Sequence, residues 1–352
     1  MPRETGAAKS LRIGVVGATG LVGRELLALL EARNFPAGEL RPFSSGRRRQ
    51  SVPFRGRRLQ APGIDEKALA SCDLVFFVSA DEVSLRLAPR LSARGIWVID
   101  DSSAFRLDPK VPLVIPEVNA HALLPSKRLI AGPNCTMAPI AVAGLALQRA
   151  VGVLELRAAS YQAVAGAGRE ALEEFFSQNR LQSRRLKGGG PAPVLPQARC
   201  SALPQPIAFN VFPQVGRFGR DGYSSEELKV ASELRKVWEA PNLRVSVTAV
   251  RVPAIRGHSL AAWVALRRPL SPARAQALIA GTPGVCLSRE GDYPTPLRAA
   301  GKWPVFVGRI RAGAHSREIC LWIVADSLLK GAALNSIQIA EILLRRGWLR
   351  SP

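Results

Sequence analysis

The segment from Leu11 to Leu30 constrains the fold most. An apolar run, Leu11 to Val16, breaks into Gly17-Ala18-Thr19-Gly20-Leu21-Val22-Gly23 and continues with apolar residues at helical spacing. A strand that turns through glycines into a helix lets backbone approach a pyrophosphate, which the helix N-terminus then holds. Further apolar runs follow at Leu74 to Val78, Ile96 to Asp100 and Leu113 to Ile115, with helical patterns near Leu21 to Arg33 and Val83 to Arg94. This alternation predicts a mostly parallel, doubly wound sheet. Beyond Cys135 the texture becomes β-rich, at Leu154 to Val164, Arg244 to Val252, Ala261 to Leu266, Val305 to Ile310 and Ile319 to Val324, with few separating helices. That predicts a second, α+β domain on a large mixed sheet, and the Gly- and Pro-rich stretch from Leu186 to Pro206 reads as a loop.

Pro133-Asn134-Cys135-Thr136 lies between an extended run, Leu129-Ile130-Ala131, and a helical one, Met137 to Leu147. A cysteine at a helix N-terminus is biased toward thiolate, the form that attacks carbonyl carbon, so Cys135 is a candidate nucleophile. A thiol together with a dinucleotide points to oxidation or reduction at the aldehyde level through a thioester. After the second strand, Ser44-Ser45-Gly46-Arg47 has Ser and Arg where an acidic residue would bind a ribose 2′-hydroxyl. Ser45 and Arg47 suit a 2′-phosphate, which makes NADP the expected cofactor.

The 352 residues allow two domains, and 47% hydrophobic with 22% charged residues is ordinary for a globular protein. The start of the chain lacks a signal-peptide pattern, and Met137 to Leu147 falls short of the ~20 apolar residues that span a bilayer. A cytoplasmic location without membrane association is expected. Five cysteines at scattered spacings form neither a disulfide framework nor a metal pattern. The formal charge of +22 is spread along the chain, and the clusters Arg47 to Arg49, Arg184-Arg185-Lys187 and Arg345-Arg346 lack interleaved aromatics. A nucleic-acid partner is therefore not expected; attraction of anionic small molecules is.

Many short blocks resemble the aspartate-semialdehyde dehydrogenase family, in family order. They include the glycine segment, Asp101-Ser102-Ser103-Ala104-Phe105-Arg106, Pro116-Glu117-Val118-Asn119, Pro133 to Thr136, Tyr161-Gln162-Ala163-Val164, Ile207-Ala208-Phe209-Asn210, Arg251-Val252-Pro253, Gly257-His258-Ser259, Val305 to Arg311 and Lys330 to Asn335. The resemblance implies a Rossmann-like NADP domain at 1–134, completed by a C-terminal helix at 331–352, and a catalytic and dimerisation domain at 135–330. It implies Cys135 as nucleophile, His258 as acid/base and Gln162 as the residue orienting substrate and intermediate. Arg251 is the implied partner of the substrate α-carboxylate, and Glu226, with Glu227 as rival, that of the α-ammonium. Arg106, Asn134 and Lys229 are the implied phosphate binders. Gly17, Thr19, Gly20, Leu21, Val22, Ser79, Asn335 and Gln338 are placed near the cofactor. The implied reaction is reduction of L-4-aspartyl phosphate to L-aspartate 4-semialdehyde, for lysine, threonine, methionine and diaminopimelate synthesis, in a homodimer or tetramer.

Some positions depart from the family pattern. Asp81-Glu82-Val83 stands where small residues are usual, Leu260 follows His258-Ser259 in place of Glu, and Trp303-Pro304 replaces a usually acidic pair. These departures leave two alternative readings, a non-catalytic binding protein of the same family and a reductase of another small acyl donor.

Overall fold

The computed structural model describes residues 10–185 and 200–349. Most of the loop expected from Leu186 to Pro206, and Lys187 with it, lies outside the described residues. The chain divides into two compact units, Met1–Asn134 with Ala332–Pro352, and Cys135–Gly331.

In the first unit β1 (Leu11–Val16) leads into α1 (Leu21–Ala32), β2 (Ala37–Phe43), a hairpin of β3 (Ser51–Phe54) and β4 (Arg57–Gln60), then α2 (Glu66–Leu69) and β5 (Leu74–Phe77). α3 (Asp81–Ala93), β6 (Trp97–Asp100), α4 (Pro116–Asn119) and β7 (Leu129–Ala131) follow. The sheet order is β2-β1-β5-β6-β7 and every pairing is parallel. β5 and β6 are wholly buried, as parallel strands with both faces covered must be, which explains their unbroken apolar sequence. The chain steps outward from β1 to β2, then crosses to β5, so the loops after β1 and β5 flank the point where the winding reverses, the usual ligand crevice of such sheets.

Two sequence expectations change here. Leu113 to Ile115 forms only an isolated bridge, Leu113 to Ala131, because Pro116 starts α4 immediately afterwards. The β3–β4 hairpin escaped notice because its turn is Arg55-Gly56, both at positive φ (47° and 72°), in place of the usual Asn-Gly. Arg55 is held there by its own side chain, which donates to the carbonyls of Ala37 (2.7 Å) and Phe35 (2.9 Å).

The second unit opens with α5 (Met137–Ala150) and β8 (Val153–Gln162), then α6 (Arg169–Arg185), α7 (Ser225–Val237), β9 (Arg244–Arg251) and β10 (His258–Leu266). It ends with α8 (Pro272–Ala280), β11 (Val285–Leu287), α9 (Pro296–Ala299), β12 (Val305–Ala312) and β13 (Glu318–Ala325). The six-stranded sheet runs β11-β12-β13-β10-β8-β9 and is mixed, with parallel pairs at both margins. On β10, Leu260, Ala262, Val264 and Leu266 are buried, while Ala261, Trp263 and Ala265 on the other face keep partial exposure. α5, α7 and α8 pack on this sheet.

Helices separate these strands more than the sequence suggested. The 17-residue α6 was missed because its buried stripe, Ala171, Phe175, Gln178 and Gln182, is half amide, which blurs hydrophobic periodicity. Gln178 is inside because its Oε1 accepts from the amides of Ile207 (2.9 Å) and Ala208 (3.2 Å).

The closing helix, expected from Gly331, begins as a π-turn, Leu329–Ala333, before α10 (Leu334–Arg345) returns the chain to the first unit. There Arg33 forms a bidentate pair with Glu341 (2.6 and 2.8 Å), and Trp348 stacks on Trp97. No helix among the described residues is long and apolar enough to cross a membrane.

Candidate active site

In the first unit the turn after β1 has little room for side chains. Gly17 is at φ 88°, and a Cβ there would lie 2.4 Å from the Val78 carbonyl oxygen; one on Gly23 would lie 2.3 Å from the Gly17 oxygen. Glycine is thus required both for the turn and for seating α1 against it. α1 has no side-chain N-cap and no acidic residue in its first turn, which favours an anion at that end. Thr19, Leu21 and Val22 are half-buried around it, and Ser79 Oγ, after β5, is buried without a hydrogen-bond partner.

Beyond β2, a cavity of about 640 Å³ is lined on one side by Gly46, Arg48, Arg49, Gln50 and Ser51 and on the other by Gln60 to Gly63. Ser45 and Arg47 are exposed beside it in sequence, while Ser44 Oγ is spent on the Ala61 carbonyl (2.7 Å). These features fit a phosphorylated dinucleotide: tight glycines, an open helix end, an orphaned hydroxyl and a cavity with two guanidinium groups.

Asn335 and Gln338 serve within this unit as ties for α10. Asn335 donates to the Val114 carbonyl (2.9 Å) and Gln338 to Glu117 (3.0 Å). Asp81 accepts from the Ser103 amide (2.9 Å) and hydroxyl (2.5 Å), so its charge organises the Ser102–Ser103 loop; Glu82 is exposed. Arg106 is buried and donates to the Asp101 carbonyl (2.7 Å). Asp101 receives the Ser336 hydroxyl (2.5 Å), and burial pushes its carboxyl up to about 7 despite that bond. Asn134, buried, closes this stretch of the unit.

In the second unit, strand direction assembles the chemistry. β8 and β9 are parallel, so Gln162 and Arg251, paired in register, end at the same side of the sheet. β10 is antiparallel to β8, with Ser259 opposite Tyr161, so His258 begins where they end. Cys135, just before α5, has its Sγ 3.5 Å from His258 Nε2. α5 has no acidic residue in its own first turn, so none of its own side chains offsets the positive end of its dipole.

His258 is fully buried. Burial and then the charge of Arg251 push its imidazole down to about 3, with the Gly257 carbonyl acting weakly the other way, so the ring is neutral at physiological pH. Nδ1 faces the Ala163 amide, which donates at 3.1 Å and favours the proton on Nε2, toward sulfur. Nε2 is thus the ring atom that can exchange a proton with the Cys135 sulfur.

Arg251 is 5% exposed and donates to the Ala163 carbonyl (2.9 Å), while its Nε is buried without a partner. Burial lowers its pKa, opposed by the charges of Cys135 and Glu226. An anion would satisfy that idle donor. Gly166 lies directly against this pair: a Cβ there would be 3.1 Å from His258 Cε1 and 3.3 Å from Arg251 Nη1.

The choice between Glu226 and Glu227 is made by α7. Glu227 completes a capping box, accepting from the Ser224 amide (2.6 Å), and also receives the Ala249 amide (2.8 Å), so it is structural. Glu226 instead accepts from Thr136 Oγ1 (3.1 Å) and Gln162 Nε2 (3.2 Å), which puts it beside the Cys135–Thr136 turn. Lys229, half-buried, stands one turn further along α7.

Sequence reading missed Thr136, Ser160, Gly166 and Gly331. Ser160 carried a signal, since two residues before Gln162 on a strand is the same face. Gly331 sits so close that a Cβ would be 2.6 Å from Cys135 Cβ, which only a structure reveals. Leu260 is a fully buried core residue, and Trp303 is exposed.

The comparisons with known proteins agree with this geometry. Residues 12–125 match the family profile "Semialdehyde dehydrogenase, NAD binding domain" and residues 142–330 "Semialdehyde dehydrogenase, dimerisation domain". The chain is 40% identical over 344 residues to an aspartate-semialdehyde dehydrogenase of Synechocystis sp., covering 96% of this chain and 99% of that protein. It is 39% identical to one of Shewanella violacea, covering 96% and 98%. The crystal structure of aspartate semialdehyde dehydrogenase II from Vibrio cholerae superposes with a TM-score of 0.90 at 35% identity, over 96% of this chain and 99% of that one, and a complex of that enzyme with ASA gives the same values. A parallel nucleotide-binding sheet, a mixed sheet bearing a Cys–His–Arg constellation and end-to-end similarity of this extent have one reading: the chain belongs to the aspartate-semialdehyde dehydrogenase family.

Proposed function

We propose that the protein is an NADP-dependent aspartate-semialdehyde dehydrogenase that converts L-4-aspartyl phosphate, NADPH and a proton to L-aspartate 4-semialdehyde, NADP and inorganic phosphate. The observation that carries this reading is the contact of Cys135 Sγ with His258 Nε2 at 3.5 Å, beside a buried arginine with an unsatisfied donor.

His258 is the acid/base, exchanging a proton with the Cys135 sulfur at Nε2. The Cys135 thiolate attacks the acyl carbon and the phosphate leaves, so one C–S bond forms as one C–O bond breaks and a thioester remains. Arg251 holds the α-carboxylate, Glu226 the α-ammonium, and Arg106, Asn134 and Lys229 bind phosphate. Gly17, Gly20 and the first turn of α1 would hold the cofactor pyrophosphate, with Arg47, Arg48 and Arg49 available to a 2′-phosphate. When bound, NADPH supplies the hydride that reduces the thioester. Collapse of the resulting hemithioacetal oxyanion breaks the C–S bond, releases the aldehyde and leaves the Cys135 thiolate beside His258.

The partly exposed apolar sheet face with Tyr161, Trp263 and Trp322 suits pairing with a second copy, in keeping with the dimerisation-domain match. The catalytic reading is tested without phosphate. L-Aspartate semialdehyde and NADP should then give about one NADPH per subunit and a mass increase on Cys135 equal to the aspartyl group. Absence of both from folded protein refutes the reading.

A further inference from the structure

Glu226 makes contacts that recognition of an ammonium group does not require. Its Oε1 accepts from Gln162 Nε2 at 3.2 Å and from Thr136 Oγ1 at 3.1 Å. The same Nε2 also donates to Ser160 Oγ at 3.2 Å. Thr136 and Ser160 are fully buried and Gln162 is 2% exposed, so the donors of these bonds are shielded from water, while Glu226 is half-buried. An amide nitrogen has two hydrogens, and both are spent: one on Ser160, one on Glu226. In this state Gln162 has no N–H left for an acyl oxygen on Cys135.

An ammonium ion arriving at Glu226 changes the competition. Its hydrogen bond to a carboxylate is charge-assisted and about twice as strong as one from a neutral amide. The charges of Glu226 and Cys135 both act on Arg251, so the carboxylate, the thiol and the guanidinium share one electrostatic environment. A substrate zwitterion held between Arg251 and Glu226 brings its ammonium to the carboxylate on which Gln162 is spent.

We propose that binding of the substrate ammonium at Glu226 frees an N–H of Gln162 for the acyl oxygen at Cys135, so the amine activates the chemistry as well as fixing the substrate. Ser160 and Thr136 are positioning residues in this arrangement: Ser160 keeps the amide pivoting about its second hydrogen, and Thr136 keeps the carboxylate in place. The inference rests on the dehydrogenase reading and adds to it a cause of substrate selectivity.

The test compares L-aspartate semialdehyde with succinate semialdehyde, which keeps the carboxylate for Arg251 but lacks the amine. Single-turnover NADP reduction is measured at saturating substrate in the wild type and in Glu226→Gln. Loss of one oxyanion donor slows chemistry about 100-fold. The wild type should show a deficit of that size in rate constant for succinate semialdehyde, beyond any change in half-saturating concentration. In Glu226→Gln the two substrates should react at rates within a few-fold of each other. Equal saturating rates for the two substrates in the wild type, with only weaker binding of succinate semialdehyde, would make Glu226 a handle alone and overturn the proposal. That comparison needs no variant to fold. Reaction of neither substrate with folded wild type would instead refute the dehydrogenase reading itself.

Discussion

Two adjacent carboxylates on α7 should respond to mutation in opposite ways. Glu227 is 7% exposed and accepts from two backbone amides, Ser224 at 2.6 Å and Ala249 at 2.8 Å. A hydrogen bond to a charged group contributes about 1.5–3 kcal/mol, so Glu227→Ala, which leaves both amides without that acceptor, should destabilise the second unit by about 3–6 kcal/mol. Glu226 is half-buried and accepts from a hydroxyl and an amide. Glu226→Gln keeps an acceptor oxygen for both and should change stability by less than about 1.5 kcal/mol. Urea denaturation followed by circular dichroism gives both midpoints, and steady-state assays give the rates. Glu227→Ala should lose stability with little loss of rate in the molecules that remain folded; Glu226→Gln should lose rate without losing stability. Equal destabilisation by the two changes, or a stable Glu227→Ala protein, would refute the division of labour.

Further outcomes follow from other parts of the molecule. Arg47→Ala and the double change Arg48→Ala/Arg49→Ala should each weaken NADP binding by about 1.5–3 kcal/mol and leave NAD binding unchanged by titration calorimetry; equal losses for both cofactors would make these arginines general surface charge. Gly166→Ala puts a methyl group 3.1 Å from His258 Cε1 and should cut kcat/KM about 10- to 100-fold with the protein still folded, whereas a wild-type rate would show that the ring tolerates displacement. Asp101 titrates near 7 when folded, above its ordinary 3.8, so the folded state binds the extra proton: the stability it contributes is present below pH 4 and lost as pH rises through about 7. Asp101→Asn should therefore gain on the wild type in denaturation midpoint between pH 4 and 8, and parallel pH profiles would contradict the buried, protonated carboxyl.

Much of this architecture can be read from the sequence where one physical signal dominates. β1 and α1 follow from apolar spacing plus glycines, and the covered strands β5 and β6 from unbroken apolar runs. α6 could not be read so, because its stripe includes Gln178 and Gln182, and the burial of Gln178 depends on amides about thirty residues away in sequence. Cys135 was legible as a candidate from its place before a helix, and the structure puts it there, 3.5 Å from His258 Nε2. The convergence of Gln162, Arg251 and His258 was not, since it depends on β8 and β9 being parallel and β10 antiparallel. Glu226 and Glu227 were indistinguishable in sequence because the capping box that consumes one of them depends on where α7 starts. Asp81, which departs from the family pattern, is turned onto Ser103 by contacts across twenty-two residues.

Cys135 is the residue on which the proposed reaction turns. The most direct measurement is the initial rate of NADP reduction with L-aspartate semialdehyde, with and without inorganic phosphate, for the wild type and for Cys135→Ala at equal folded concentration. The wild type should show sustained turnover only with phosphate, and Cys135→Ala should show none while still binding NADP. A folded wild type with no phosphate-dependent turnover, or a Cys135→Ala protein that retains the wild-type rate, would contradict it.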